Sequence, residues 1–190
     1  KNYIEIFVFV YRIGRKYIIC KFAKDTIWLY TEVMKKNETY RDFYVVDVSY
    51  VPDYDCQSVL LRHKTTGLEI LHLINDDEEN LFSFLFRTPV FDSKGLPHMI
   101  EHSVLCGSEK YPPKEPFNIL ATTSVKTFVN ACTWEDFTGY PGSSIVEKDY
   151  FNMMDVYADA CFFPLLEERT FRQEGHRFEI EEDDQPTATI

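Results

Sequence analysis

His98-Met99-Ile100-Glu101-His102 is the stretch whose residue types and spacing could do chemistry. On a helix, positions i, i+3 and i+4 share one face, so both imidazoles and the carboxylate point the same way. Two imidazoles one turn apart can chelate a single Zn2+, each nitrogen at about 2.0–2.1 Å. Glu101, one residue before the second histidine, is placed to take a proton from a water activated by the ion. Three fixed residues in five also occur by chance, and a helix with solvated His and Glu is the competing reading. The setting favours the metal. The helix would open with Gly95-Leu96-Pro97, and Ile100, Val104 and Leu105 lie away from the polar face.

The elements that must position this stretch follow from pattern. Residues 4–11 and 17–22 have strand composition. Residues 38–42 read as a polar connector. Residues 58–63 and 68–74 read as two strands of a hairpin, joined by a turn at 64–67 in which Gly67 supplies a positive φ. Residues 75–80 form a solvated loop and 81–86 a further strand. The spacing predicts a helix over 97–105, with Pro97 tolerated in its first turn and Cys106-Gly107 ending it. A short helix over 117–124 follows, then strand character over 127–133. Apolar residues at helical spacing predict a core helix over 150–163. The acidic run 179–184 reads as a solvated surface. His63, His72 and His176 read as ordinary solvated or hydrogen-bonded histidines.

Composition bounds the function class. The chain has 190 residues, 45% hydrophobic and 27% charged, which suits a globular protein of about one domain. The net charge of −11 argues against nucleic acid as a partner. The charge is uneven: residues 1–44 hold nine Lys/Arg against five Asp/Glu, and residues 45–190 hold 11 against 26. The five cysteines are widely spaced without a CxxC pair, so neither a disulfide framework nor a thiolate zinc site is expected. No apolar run reaches the ~18–20 residues of a membrane span. The first residue is Lys1 rather than Met, so a preceding segment is expected.

Leu96-Pro-His-Met-Ile-Glu-His-Ser-Val-Leu-Cys-Gly-Ser-Glu-Lys-Tyr-Pro112 resembles the pitrilysin family of zinc metallopeptidases, in its presequence-protease and falcilysin-like branch. The order His-x-x-Glu-His is the inverted zincin signature. Further blocks match in order: Thr65-Thr-Gly67, Phe86-Arg-Thr-Pro89, Lys114-Glu-Pro-Phe117, Thr127-Phe-Val-Asn-Ala131, Asp155-Val-Tyr-Ala-Asp-Ala160, Phe162-Phe-Pro164 and Phe171-Arg-Gln-Glu-Gly175. Residues 44–190 are thereby expected to be the N-terminal part of a pitrilysin-type zinc peptidase domain, incomplete at its C-terminus. Residues 1–43 stay unassigned.

The resemblance implies an α+β fold, with helices packed on a largely antiparallel sheet, and a second half that closes over a chamber. It implies one Zn2+ held by His98 and His102, Glu101 as catalytic base, and Asn130, Ala131 and Cys132 on the strand that holds the substrate backbone. For Asn130 alone, support of the local backbone is the equal alternative. For Cys132, a packed thiol is the plainer reading. The wider family's spacing for the third ligand reaches Glu179, 77 residues past His102. In the matching branch a separate Asn-Glu block carries that ligand and falls past Ile190, so Glu179 is the lesser candidate. Glu174 and Glu179 are then structural residues or residues that orient a ligand. His176 stands where relatives carry Trp, and residues 119–125 depart from the branch pattern, which bears on substrate preference.

The implied activity is zinc-dependent endoproteolysis of unfolded peptides such as cleaved targeting presequences, with this chain a fragment of the catalytic half. Its partners would be peptide substrates and the remainder of the peptidase, with no nucleic acid and no membrane span. The implied compartment is the mitochondrial matrix or another organelle interior, with cytosol the alternative and secretion excluded. The rival readings are a non-catalytic or truncated protein lacking the third ligand, and, more remotely, a structural-zinc domain.

Overall fold

The computed structural model describes residues 34–112 and 116–175 in full, and the backbone of residues 6–13, 18–22, 25–29, 177–180 and 186–189. Thirteen strands and four α-helices are described. The strands are β1 Ile6–Ile13, β2 Ile18–Phe22, β3 Asp25–Leu29, β4 Thr39–Tyr40, β5 Phe43–Val51, β6 Cys56–His63, β7 Glu69–Asn75 and β8 Asn80–Arg87. They continue with β9 Phe128–Val129, β10 Cys132–Thr133, β11 Phe137–Ser144, β12 Arg177–Ile180 and β13 Pro186–Thr189. The helices are α1 Leu96–Val104, α2 Pro116–Thr123, α3 Glu147–Phe162 and α4 Glu168–Glu174.

Nine strands form the main sheet in the order β10-β11-β8-β1-β7-β6-β5-β4, with β9 also on β11. All described pairings are antiparallel except β1 with β7. The fold class expected from the sequence is thus what the chain adopts: helices on a largely antiparallel sheet.

Strand alternation sends Phe82, Phe84, Phe86 and Tyr140 to one face. There α3 packs through Tyr150, Met153, Met154, Tyr157, Ala158 and Ala160, all buried. The rings meet edge-on, Phe82 to Tyr157 at 5.4 Å and Phe84 to Phe162 at 5.9 Å between centroids, a favoured aromatic geometry. Helix α3 is therefore the core helix that its apolar spacing predicts. On the same face Gly142 lies opposite Phe82, where an added Cβ would come within 2.7 Å of the ring.

Most elements match the expected positions to within a few residues. Residues 38–42 hold a two-residue strand and a turn rather than a plain connector. The strands β3, β5, β11, β12 and β13 and the helix α4 carry no sequence-based expectation. Strand β12 runs into the expected acidic surface at 179–180, and residues 181–185 lie outside the described residues, as does His176. His72 is buried on β7, and His63 bonds Thr66 at 2.7 Å.

Candidate metal centre

Helix α1 starts where the chain turns sharply. Asp92 accepts a hydrogen bond from the Lys94 amide at 3.0 Å, and Gly95 sits at φ 71°, a conformation glycine adopts without a Cβ clash. Its carbonyl accepts the Met99 amide, the first helical bond. Pro97 lies in the first turn, where no amide donor is required. The helix closes with Leu105 and Cys106 amides on the His102 and Ser103 carbonyls, and Gly107 follows at φ 149°. Met99 and Val104 are buried, while Leu96 and Ile100 are exposed.

His98 and His102 stand one turn apart with ring centroids 4.7 Å from each other and planes at 83°. Their Nε2 atoms converge to 3.1 Å. Glu101 joins them, with one ligand atom from each of the three residues lying within 4.8 Å of the others. Among the described residues this is the His/Cys/Asp/Glu cluster able to hold a metal ion. The carboxylate is buried, at 6% exposure, whereas the His102 side chain is 41% exposed.

Behind the imidazoles stands α4. Glu174 Oε2 lies 3.1 Å from His102 Nδ1, and Gln173 Nε2 donates to Glu174 Oε1 at 2.8 Å. With Nδ1 donating to Glu174, the lone pair of His102 is on Nε2, facing His98 Nε2. Two lone pairs 3.1 Å apart repel unless a proton or a cation lies between them. Nitrogens each about 2.05 Å from one cation and 3.1 Å from each other subtend roughly 98°, near the tetrahedral angle zinc prefers. The residues present thus fit the divalent metal of a metallopeptidase, with Glu174 holding one ligand from outside.

Glu101 is fixed from the other side. Thr133 Oγ1 donates to its Oε2 at 2.6 Å. Thr133 ends β10, and β9, β10 and β11 keep one register through residues 128–133 against 138–143. The amides of Asn130 and Trp134 donate to the Pro141 and Phe137 carbonyls. By alternation, the amides of Ala131 and Thr133 face away from β11, along the open edge of the sheet. An edge of this kind can pair with an extended peptide.

The Asn130 backbone is held by two elements. Its partner Pro141 has no N–H to return, so the Asn130 carbonyl would be orphaned. Tyr157 on α3 supplies the missing donor, its hydroxyl 3.2 Å from that oxygen. The Asn130 side chain accepts the Ala131 amide at 2.9 Å. Burial, and then the Glu101 carboxylate, push the Cys132 thiol above its ordinary pKa. Glu179 lies on β12 opposite Thr187.

Sequence reading misses Thr133. The available signal is alternation, which puts its side chain on the same face as Val129 and Ala131, toward the helices. An apolar cavity of about 540 Å³ lies on the opposite face of α1, lined by Leu96, Ile100, Val104, Phe86 and Tyr140, and the imidazoles take no part in it.

No family model matches the chain. It is 46% identical over 149 residues to the mitochondrial presequence protease of Danio rerio, covering 78% of this chain and 15% of that protein. It is 47% identical over 156 residues to that of Mus musculus, covering 82% and 15%. With presequence protease 1 of Arabidopsis thaliana, chloroplastic/mitochondrial, it shares 44% over 154 residues, covering 80% and 14%. The chain thus spans about 15% of the length of these curated relatives. The crystal structure of pitrilysin has the same fold, with a TM-score of 0.59 at 22% identity over 70% of this chain and 15% of that one. Identity to the presequence proteases over about four fifths of the chain, together with that shared fold, places it in the pitrilysin family of peptidases, in the presequence-protease branch.

Proposed function

We propose that this chain is part of the catalytic half of a zinc-dependent endopeptidase that cuts unfolded peptides, cleaved targeting presequences among them, inside a mitochondrion or a related organelle. The observation that carries the reading is the convergence of His98 Nε2 and His102 Nε2 to 3.1 Å beside the buried Glu101. Kinship with presequence proteases, named as mitochondrial in several organisms, supports the substrate class and the compartment. The acidic balance of residues 45–190 is compatible with basic targeting peptides.

In this reading His98 and His102 hold the zinc, and the third ligand comes from polypeptide following Ile190. Glu174 addresses Nδ1 of His102, on the far side of the ring from the shared space, so it orients a ligand and does not complete the set. Residues 44–190 form the N-terminal part of the peptidase domain, with the remainder of the enzyme as its partner. When bound, zinc supplies Lewis-acid polarisation of the scissile carbonyl.

The chain's own residues do the rest. The peptide lies along the edge of β9 and β10, pairing with the outward amide of Thr133 and, by displacing the Asn130 side chain, with that of Ala131. Asn130 keeps that edge straight through Tyr157 and Pro141, and Cys132 borders it. Glu101 takes a proton from the attacking water as its oxygen bonds to the carbonyl carbon. It returns that proton to the departing amine nitrogen as the C–N bond breaks.

The test is Glu101→Gln in the full-length protein, assayed on an unfolded presequence peptide with zinc counted per chain. Loss of cleavage by ~10²–10⁴-fold with one zinc retained is expected. Unchanged cleavage rejects the reading. Full-length wild-type protein that purifies without zinc and cleaves nothing establishes the non-catalytic alternative.

A further inference from the structure

The contact between Thr133 and Glu101 is one end of a longer line of hydroxyls. Thr133 Oγ1 lies 3.3 Å from Thr138 Oγ1, and Thr138 Oγ1 lies 2.8 Å from Thr88 Oγ1. Each hydroxyl has one proton to give. Thr133 gives its proton to Glu101 Oε2. Its oxygen then accepts from Thr138, whose oxygen in turn accepts from Thr88. With Thr133 donating to Glu101, one consistent arrangement of the three protons points the whole line at Glu101 Oε2. Thr138 itself is 2% exposed.

Strand geometry gives the line its purpose. Thr133 turns its side chain inward to Glu101 and its backbone amide outward to the sheet edge. One residue therefore touches both the acid and the place where a peptide would lie. Occupation of Oε2 by Thr133 leaves Oε1 as the oxygen free to handle a proton.

Building on the proposed peptidase reading, we infer that Thr133 is a positioning residue: with Thr138 and Thr88 behind it, it holds the plane of the Glu101 carboxylate in register with the substrate edge. Without its hydroxyl the carboxylate can swing, and misplacement of a reacting group by about 1 Å costs on the order of 10²-fold in rate.

The experiment uses the full-length protein with a presequence peptide, comparing wild type, Thr133→Val, Thr133→Ser, Thr138→Val and Glu101→Gln. Thr133→Val should lower kcat by about 10–100-fold and leave KM within twofold. Thr133→Ser should restore most of that rate, because it returns the donor without the methyl. Thr138→Val should show a smaller fall, since it removes only the orienting partner. Zinc per chain should equal wild type in all of them. A crystal structure of metal-free Thr133→Val should show the carboxylate turned from its wild-type plane. A Thr133→Val kcat within twofold of wild type, an equally impaired Thr133→Ser, or loss of zinc from Thr133→Val overturns the inference. Full cleavage by Glu101→Gln instead overturns the peptidase reading on which it rests.

Discussion

Replacing Glu174 by Ala isolates what a carboxylate behind an imidazole does for a metal centre. Its Oε2 lies 3.1 Å from His102 Nδ1, and its side chain is 21% exposed. Alanine removes the acceptor and leaves His102 free to rotate about χ2 or to adopt the other tautomer. Partners of this kind are typically worth ~10–100-fold in metal affinity. The His102 side chain is 41% exposed, so water can replace part of the lost bond. That places the expected loss in the lower half of the range, about 10–30-fold, or about 1.4–2 kcal/mol at ~1.4 kcal/mol per decade. The assay is competition for zinc between the full-length protein and a chromophoric chelator at fixed pH and salt. Glu174→Gln, which keeps an acceptor oxygen, should lose less than Glu174→Ala. His98→Ala, which removes a proposed ligand, should lose more than either. A Glu174→Ala affinity within twofold of wild type would refute the reasoning, because the His102–Glu174 contact would then orient nothing.

Tyr157→Phe should destabilise the domain by ~1–3 kcal/mol, read as a lower urea midpoint, since it leaves the Asn130 carbonyl without a donor beside a proline that has none. An unchanged midpoint would show that another donor serves that oxygen. Ala131→Pro removes an outward-facing amide, together with the bond it donates to Asn130 Oδ1, while leaving the β11 side of the edge intact. Its KM for a presequence peptide should rise roughly tenfold with the fold retained, as loss of a pairing bond requires. An unaltered KM would mean that peptides do not pair there. Burial holds the Cys161 thiol well above its ordinary pKa, so its thiolate is scarce at pH 8. Iodoacetamide should label it far more slowly in the folded than in the denatured protein, about tenfold faster for each unit of rising pH below that pKa. Equal rates in the two states would contradict the burial.

Local chemistry explains which parts of the fold the sequence revealed. Gly95-Leu96-Pro97 marks the start of α1, and Leu96, Ile100 and Val104 repeat every four residues along it. Thr66 and Gly67 close their turn with amide hydrogen bonds to His63, so the β6-β7 hairpin was equally legible. Strand β11 was not. Gly139, Pro141 and Gly142 all count against a strand by propensity. They are admitted by distant partners: Phe82 needs the space at Gly142, and Tyr157 repairs the bond that Pro141 cannot make. Helix α4 is short and mostly charged, with no apolar stripe to announce it.

The insertion of β1 between β7 and β8 is long-range pairing that no local pattern encodes. The candidate site divides the same way. His98, Glu101 and His102 lie within one turn and could be read together. Glu174 reaches His102 across 72 residues and Thr133 reaches Glu101 across 32, so both contacts exist only through packing.

The tip of the β10-β11 hairpin is tied to the strand-to-helix connection at two further points. The Thr88 amide donates to the Asp136 carbonyl at 2.8 Å, and the Val90 amide to the Glu135 carbonyl at 3.1 Å. Together with the bond from Thr133 to Glu101, these ties make the edge and α1 a single rigid bracket. Any hinging of a larger enzyme around this piece would then carry both as one body. Opening and closing could gate entry and release without retuning the distance between scissile bond and acid.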